Sequence, residues 1–190
     1  MATNADLQLG DRREPSVQGE VFFDLGDTPA EFVPIAQEEP VGELHLRFFV
    51  PSGKEYALPA IEIREVLECS PDRINPMPNT SPLILGMINL RGRVIWVCDL
   101  GQFLGDPNPV NTDRAELPVV AIEAGGMVLG AVVDRIGVVA WLDPEQLQPI
   151  ENPLNRFVKG EWHLPDNQVV QLLSAEEILR SPRWINPQLQ

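Results

Sequence analysis

The stretch GMINLRGRVIWVCDL, residues 86–100, decides how this chain is read. Val94-Ile95-Trp96-Val97 has the composition of a buried strand. Met87, Ile88 and Leu90 supply apolar residues ahead of it. Between the two halves stand Asn89 and Arg91-Gly92-Arg93. Two of the chain's 14 basic residues therefore flank a glycine inside its most apolar region. Gly92 permits the left-handed backbone of a tight turn, and the Asn89 amide can orient such a turn. A turn accounts for the glycine but not for the arginines.

Composition narrows the possibilities around that stretch. With 190 residues and 44% hydrophobic content, the chain can bury a real core as one good-sized domain or two small lobes. Its net charge is −14, with 28 acidic residues. A nucleic-acid binder needs phosphate-neutralising Lys and Arg on one face, and an anionic membrane makes the same demand. Neither partner suits this chain. No apolar run approaches the ~20 residues that span a bilayer. The N-terminus lacks a basic stretch followed by an apolar one, so it is not a signal peptide. These features predict a cytoplasmic protein with no direct membrane insertion. Cys69 and Cys98 have no metal-ligand spacing and read as free thiols packed as small hydrophobes.

Residues 1–42 carry nine acidic residues against Arg12 and Arg13, a net −7. They show no sustained period of 2 or 3.6 and read as a disordered acidic arm. Val21-Phe22-Phe23 and Phe32-Val33-Pro34-Ile35 form an aromatic patch in it, either a short docking motif or a loosely packed segment. From Leu44 the pattern is that of strands. Leu44, Leu46 and Phe48 alternate with other residues, Pro51-Ser52-Gly53 makes a turn, and Tyr56 to Leu67 resumes the strand pattern. Prolines between Pro71 and Pro82 stiffen a loop. Leu83 to Gly86 reads as a single helical turn. Residues 106–115 form a linker, and 183–190 a C-terminal tail.

The pattern then repeats. Laying residues 52–66 over 125–139 places Gly53 on Gly126, Ile63 on Ile136 and Val66 on Val139. Laying residues 86–104 over 160–179 places Gly86 on Gly160 and Leu90 on Leu164. With one extra residue in the second turn, Val94-Ile95 falls on Val169-Val170. These matches predict two similar small β lobes, about 43–105 and 116–180. Where the first has Arg91-Gly92, the second has Pro165-Asp166-Asn167. Both are turn sequences, so the fold needs a turn there and does not need an arginine.

A search for chemistry finds little. His45 and His163 are isolated, with no acid or thiol at metal-ligand spacing. No GxSxG, GxGxxG or GxxxxGK[ST] motif is present. Gly125-Gly126 reads as a hairpin turn. Ser174 and Glu177 read as an N-cap and the far side of a capping box. No catalytic group, metal or cofactor is predicted. Glu65, on a strand beside Ile63 and Val66, and Arg91, at its turn, remain. Their pairing is either an ordinary surface salt bridge, worth about 0–1 kcal/mol, or a device that holds the planar guanidinium in one orientation.

The motif Gly86-x-x-Asn89-Leu90-Arg91-Gly92-x-Val94-Ile95-x-Val97-x-Asp99-Leu100, with EYALPAIEIREVLE before it, resembles the CheW family of chemotaxis coupling proteins. The resemblance spans roughly residues 44–180. It implies an all-β fold of two five-stranded SH3-like β-barrels in pseudo-symmetric arrangement, with few short helices. It implies a non-enzymatic adaptor, recruited to membrane receptor arrays. Such an adaptor joins the cytoplasmic tip helices of a chemoreceptor to the regulatory domain of a histidine kinase, in a chemotaxis, phototaxis or pilus-motility pathway. Arg91 matches the family's signature arginine, Glu65 the acid that pairs with it, and Ile63 an apolar groove position. Val66, Asn89, Leu90 and Gly92 complete the expected protein-binding set.

Two departures stand out. Trp96 occupies a position where proline is more frequent, and could alter a strand edge or anchor a contact. Ser174 replaces a frequent aspartate. The rival readings are a stand-alone kinase-type regulatory domain, a β-barrel module of another two-component pathway, and a small β-barrel enzyme with an unrecognised site.

Overall fold

The computed structural model describes residues 41–150 and 156–185. The expected acidic arm with its aromatic patch, and the end of the tail, lie outside the described residues. Ten strands carry the fold: β1 Glu43–Phe49, β2 Glu55–Pro59, β3 Ile63–Cys69, β4 Ile84–Leu90, β5 Arg93–Asp99, β6 Leu117–Ala124, β7 Met127–Val132, β8 Arg135–Leu142, β9 Val158–Leu164 and β10 Gln168–Leu173. Two short helices, α1 Leu100–Phe103 and α2 Ala175–Leu179, follow β5 and β10. The strands form two five-stranded sheets, ordered β8-β1-β2-β10-β9 and β3-β6-β7-β5-β4. The all-β, two-sheet architecture with few short helices is the one expected.

Strand exchange changes how the lobes are built. The sequence repeat sets β1–β5 against β6–β10 in order. Under that mapping one sheet becomes the other, including their single parallel pairs, β2 with β10 and β7 with β5. Each sheet takes two strands from one repeat and three from the other. The expected boundaries, 43–105 and 116–180, therefore divide the chain into repeats but not into sheets. The crossing happens where β2 ends. Pro59 has no N–H to continue the ladder. A 3-10 turn at Ala60–Glu62 follows, with Ile61 94% exposed. The chain then enters the other sheet as β3, so Tyr56 to Leu67 is two strands and not one.

Three apolar clusters follow from this geometry. One lies between the sheets and draws Leu46, Phe48 and Leu58 from the first and Val120, Ile122 and Leu129 from the second. Each sheet also has a cluster on its other face, around Trp162 and Val170 in the first and Ile95 and Val97 in the second. Strands with a core on both faces lose the simple in–out alternation. This is why His45 is buried between apolar neighbours. Its Nδ1 lies 2.8 Å from the Glu43 carbonyl oxygen, and its ring meets Trp162 edge-on.

The repeats match in detail. Asn75 bridges Met87 beside Gly86, and Gln148 bridges Glu161 beside Gly160. A Cβ on either glycine would meet a backbone oxygen, at 2.4 Å from Asn75 or 2.7 Å from Gln148. The predicted helical turn at Leu83 to Gly86 is instead the start of β4. The Leu83 carbonyl accepts from the Asp99 N–H, and Ile84 opposes Cys98, so β5 already claims this backbone. Asp99 caps α1 and also accepts from the Val110 N–H. Its counterpart Ser174 caps α2 through the Glu177 N–H. The Ser174 N–H donates to the Phe157 carbonyl, so the reciprocal half of the expected capping box is not formed. Glu62 accepts from the Ala175 N–H and supplies a carboxylate at the end where Ser174 has none. Cys69 and Cys98 are both free and buried.

Candidate functional site

Leu90 and Arg93 are the last paired residues of the β4–β5 hairpin, leaving Arg91-Gly92 as a two-residue loop. Arg91 has φ 50° and Gly92 φ 84°. Both central residues are left-handed, as the right-handed twist of a hairpin favours. Gly92 tolerates this without cost. An arginine does not, since its Cβ crowds the carbonyl, at about 1–2 kcal/mol. The Asn89 Oδ1 accepts the Gly92 N–H at 2.7 Å, so Asn89 does orient the turn.

Glu65 reaches this corner from β3. Between Ile63, opposite Ile122, and Glu65, opposite Ala121, two steps of β3 stand against one of β6. A β-bulge of this kind re-aims a side chain. The Arg91 Nε donates to Glu65 Oε1 at 3.2 Å and Oε2 at 2.9 Å, and Nη2 lies 2.8 Å from Oε2. The carboxylate is mostly shielded while the guanidinium side chain is 79% exposed. Hydrogen bonding to Glu65, and its charge, raise Arg91 above its already high ordinary pKa. The pair fixes a cation in space and leaves its outer edge open.

The second repeat serves as an internal control. The same bulge recurs in β8, between its pairings with Phe48 and Leu46. There, Val138 stands where β3 has Glu65, and the β9–β10 turn carries no arginine. The bulge and turn belong to the fold; the charged pair belongs to one repeat only.

Of the other predicted residues, Val66 is exposed and Ile63 half-buried against the inter-sheet cluster. Leu90 is a correction: it is buried among Ile88, Ile95 and Val97, so it packs the hairpin and offers no surface. Glu65 shares its face with Ala121 and Val97, and cross-strand pairing builds a separate apolar row on the other face of the sheet. Ile63, Ile122, Leu129, Trp96 and Met87 oppose one another in sequence across the sheet, sharing one face. Trp96 is paired on both sides, which rules out a strand-edge role. Half-exposed, it lines a cavity of about 550 Å³ with Ile84, Met127, Leu129 and Trp184. Sequence reading noted the tryptophan but had no means of placing Trp184 beside it.

A family model described as CheW-like domain matches residues 46–183. The chain belongs to the CheW-like family. The chemotaxis protein CheW of Bacillus subtilis is 36% identical over 147 residues, covering 73% of this chain and 87% of that protein. Protein PilI of Pseudomonas aeruginosa is 29% identical over 133 residues, covering 67% and 72%. The crystal structure of the scaffolding protein TtCheW from Thermoanaerobacter tengcongensis matches the fold with TM-score 0.64 at 23% identity, covering 77% of this chain and 93% of that one. The CheW-like domain here thus includes the whole Glu65–Arg91 corner. Among its described residues, no helix is long and apolar enough to cross a membrane.

Proposed function

We propose that this CheW-like protein is a non-enzymatic coupling protein that joins the cytoplasmic helical tip of a chemoreceptor to the regulatory domain of a histidine kinase. Its relatives named chemotaxis protein CheW support a chemotaxis-type pathway. The observation that carries the reading is the Arg91 guanidinium, held by Glu65 on a strained turn and exposed at its outer edge. A stability role explains neither the strain nor the exposure. Strain of this kind persists where a site uses it. On the other face of β3 from Glu65, Ile63 and Val66 offer apolar surface. A receptor helix with an amphipathic face is read by such a combination of apolar contacts and a few fixed polar groups.

The test is a pull-down of tagged wild type and Arg91→Ala from cytosol and membranes of the native cell, with circular dichroism on both. Wild type is expected to retain a receptor and a histidine kinase, and the folded variant to lose at least one. Absence of both from the wild-type sample would overturn the coupling function and leave the fold assignment standing.

A further inference from the structure

The face of the first sheet that carries the Trp162 cluster changes character toward the β1–β2 hairpin. Ala57 and Val170 lie in the apolar part. One step further along the same faces stand Glu55 on β2 and Gln168 on β10, with Arg47 and Phe49 on β1. They line a hollow of about 530 Å³, joined by Lys54 and Arg135. Only 12 basic residues follow position 42, and three of them meet here.

Their counter-charges do not balance. Arg47 is satisfied: its Nε donates to Glu55 Oε1 at 2.8 Å and its Nη2 to Gln168 Oε1 at 3.1 Å. Glu55 is thereby consumed, with 8% of its side chain exposed. Among the described residues, no ion pair joins Lys54 or Arg135 to a carboxylate. Asp106 acts on Lys54 by charge at longer range, while its carboxylate accepts the Ser52 and Asn108 N–H groups. Arg135 is not loose. It opposes Phe49 across the β1–β8 ladder, and its guanidinium carbon stands 3.4 Å from that ring's centroid. A guanidinium held over a ring face carries its N–H donors at its edge, where a carboxylate can be received on two parallel bonds.

We infer that this hollow binds a carboxylate side chain of an acidic segment of a protein partner, with Arg135 and Lys54 as its ligands. On a chain of net charge −14, two cations with no ion pair among the described residues attract an acidic group locally, while the chain's overall negative charge repels the rest of a second acidic surface. Val169 on its rim, 39% exposed, gives apolar contact to a residue flanking the acid, which favours a peptide segment over an inorganic anion. The site is remote in the chain from the Arg91 corner and does not depend on the coupling reading.

The experiment uses the full-length, ¹⁵N-labelled chain at fixed ionic strength. Three probes are titrated: an acetylated, amidated LELEL peptide, its LQLQL counterpart, and inorganic phosphate. The acidic peptide is expected to shift the Arg135 Nε–Hε signal and the Gly53 and Val169 amides, and Arg135→Gln or Lys54→Gln to weaken it at least fivefold. Arg91→Ala should leave this binding unchanged. Lys54 is exposed, so its variant tests the site even if Arg135→Gln disturbs the strand. Equal shifts from LQLQL, equal or greater shifts from phosphate, or no shift at these groups would each overturn the inference.

Discussion

At the scale of single residues, Arg91 sets a conflict between stability and use. Its left-handed backbone favours asparagine or glycine, and its exposed ion pair returns little. Arg91→Asn should therefore leave urea-unfolding stability unchanged or raise it by up to about 1 kcal/mol. The same change should cut partner capture at least tenfold. Glu65→Gln tests the orienting role separately, because the arginine stays but its bidentate acceptor is lost. Capture should fall while the melting temperature moves by no more than about 2 °C. Tyr56 makes a second prediction at this scale. Burial, and secondarily the charge of Asp106, push its phenol up from 10 to about 12. Between those values the unfolded chain has lost a proton that the folded chain keeps. Stability must fall as pH rises through that window, approaching a loss of about 2–3 kcal/mol. The buried Cys98 thiol, also raised by desolvation, adds a loss that begins at lower pH. Denaturant titrations from pH 9 to 12 check this, and Tyr56→Phe should remove the part that sets in above pH 10.

At the scale of elements, the hairpins were the most legible part of the sequence. Asn89, Gly92 and the apolar runs on either side specify a turn by local chemistry alone, and the turn is where they place it. The extra residue of the second turn was equally readable, and Asn167 there takes φ 58°. Leu83 to Gly86 was misread because four residues carry too little periodicity to separate a helical turn from a strand start. Its pairing with β5 decides the matter, and that information is distant in sequence. Leu90 was misassigned for a related reason: in a strand between two faces, one step of register separates surface from core. Gly86 and Gly160 were matched by the repeat before their purpose was visible. Each lets a neighbouring backbone oxygen approach closer than a side chain allows. Gly86→Ala and Gly160→Ala should each cost about 1–3 kcal/mol in chemical denaturation. The former should be the worse, since Gly86 also has φ 153°.

At the scale of the whole molecule, the repeat was legible and the exchange of strands was not. Strand patterns record which residues are buried, and both possible pairings bury the same ones. A single repeat could close its own five strands. In this chain the turn at Ala60–Glu62 sends β3 to the other sheet, and β8 makes the same crossing after β7. Fragments 43–105 and 116–183 should therefore show no native near-ultraviolet dichroism when separate and regain it when mixed. A native signal from either fragment alone would mean that a repeat can close upon itself. The site inherits this architecture. Glu65 on β3 is held by β6 from the second repeat, and Arg91 sits on a hairpin held through β5 by β7.

The crossed strands also govern the order in which a ribosome can release finished structure. When Asp99 has emerged, β3, β4 and β5 still lack β6 and β7, and β1 and β2 lack all three of their later partners. The second sheet is not complete until Val132 is out, nor the first until Leu173. Until Val132 is out, β5 on the C-terminal side of Arg91-Gly92-Arg93 has β4 on one side and an open edge on the other. A charged break in the middle of an apolar run discourages pairing between neighbouring nascent chains. Arg91 and Arg93 place two positive charges in this one while its edge is open.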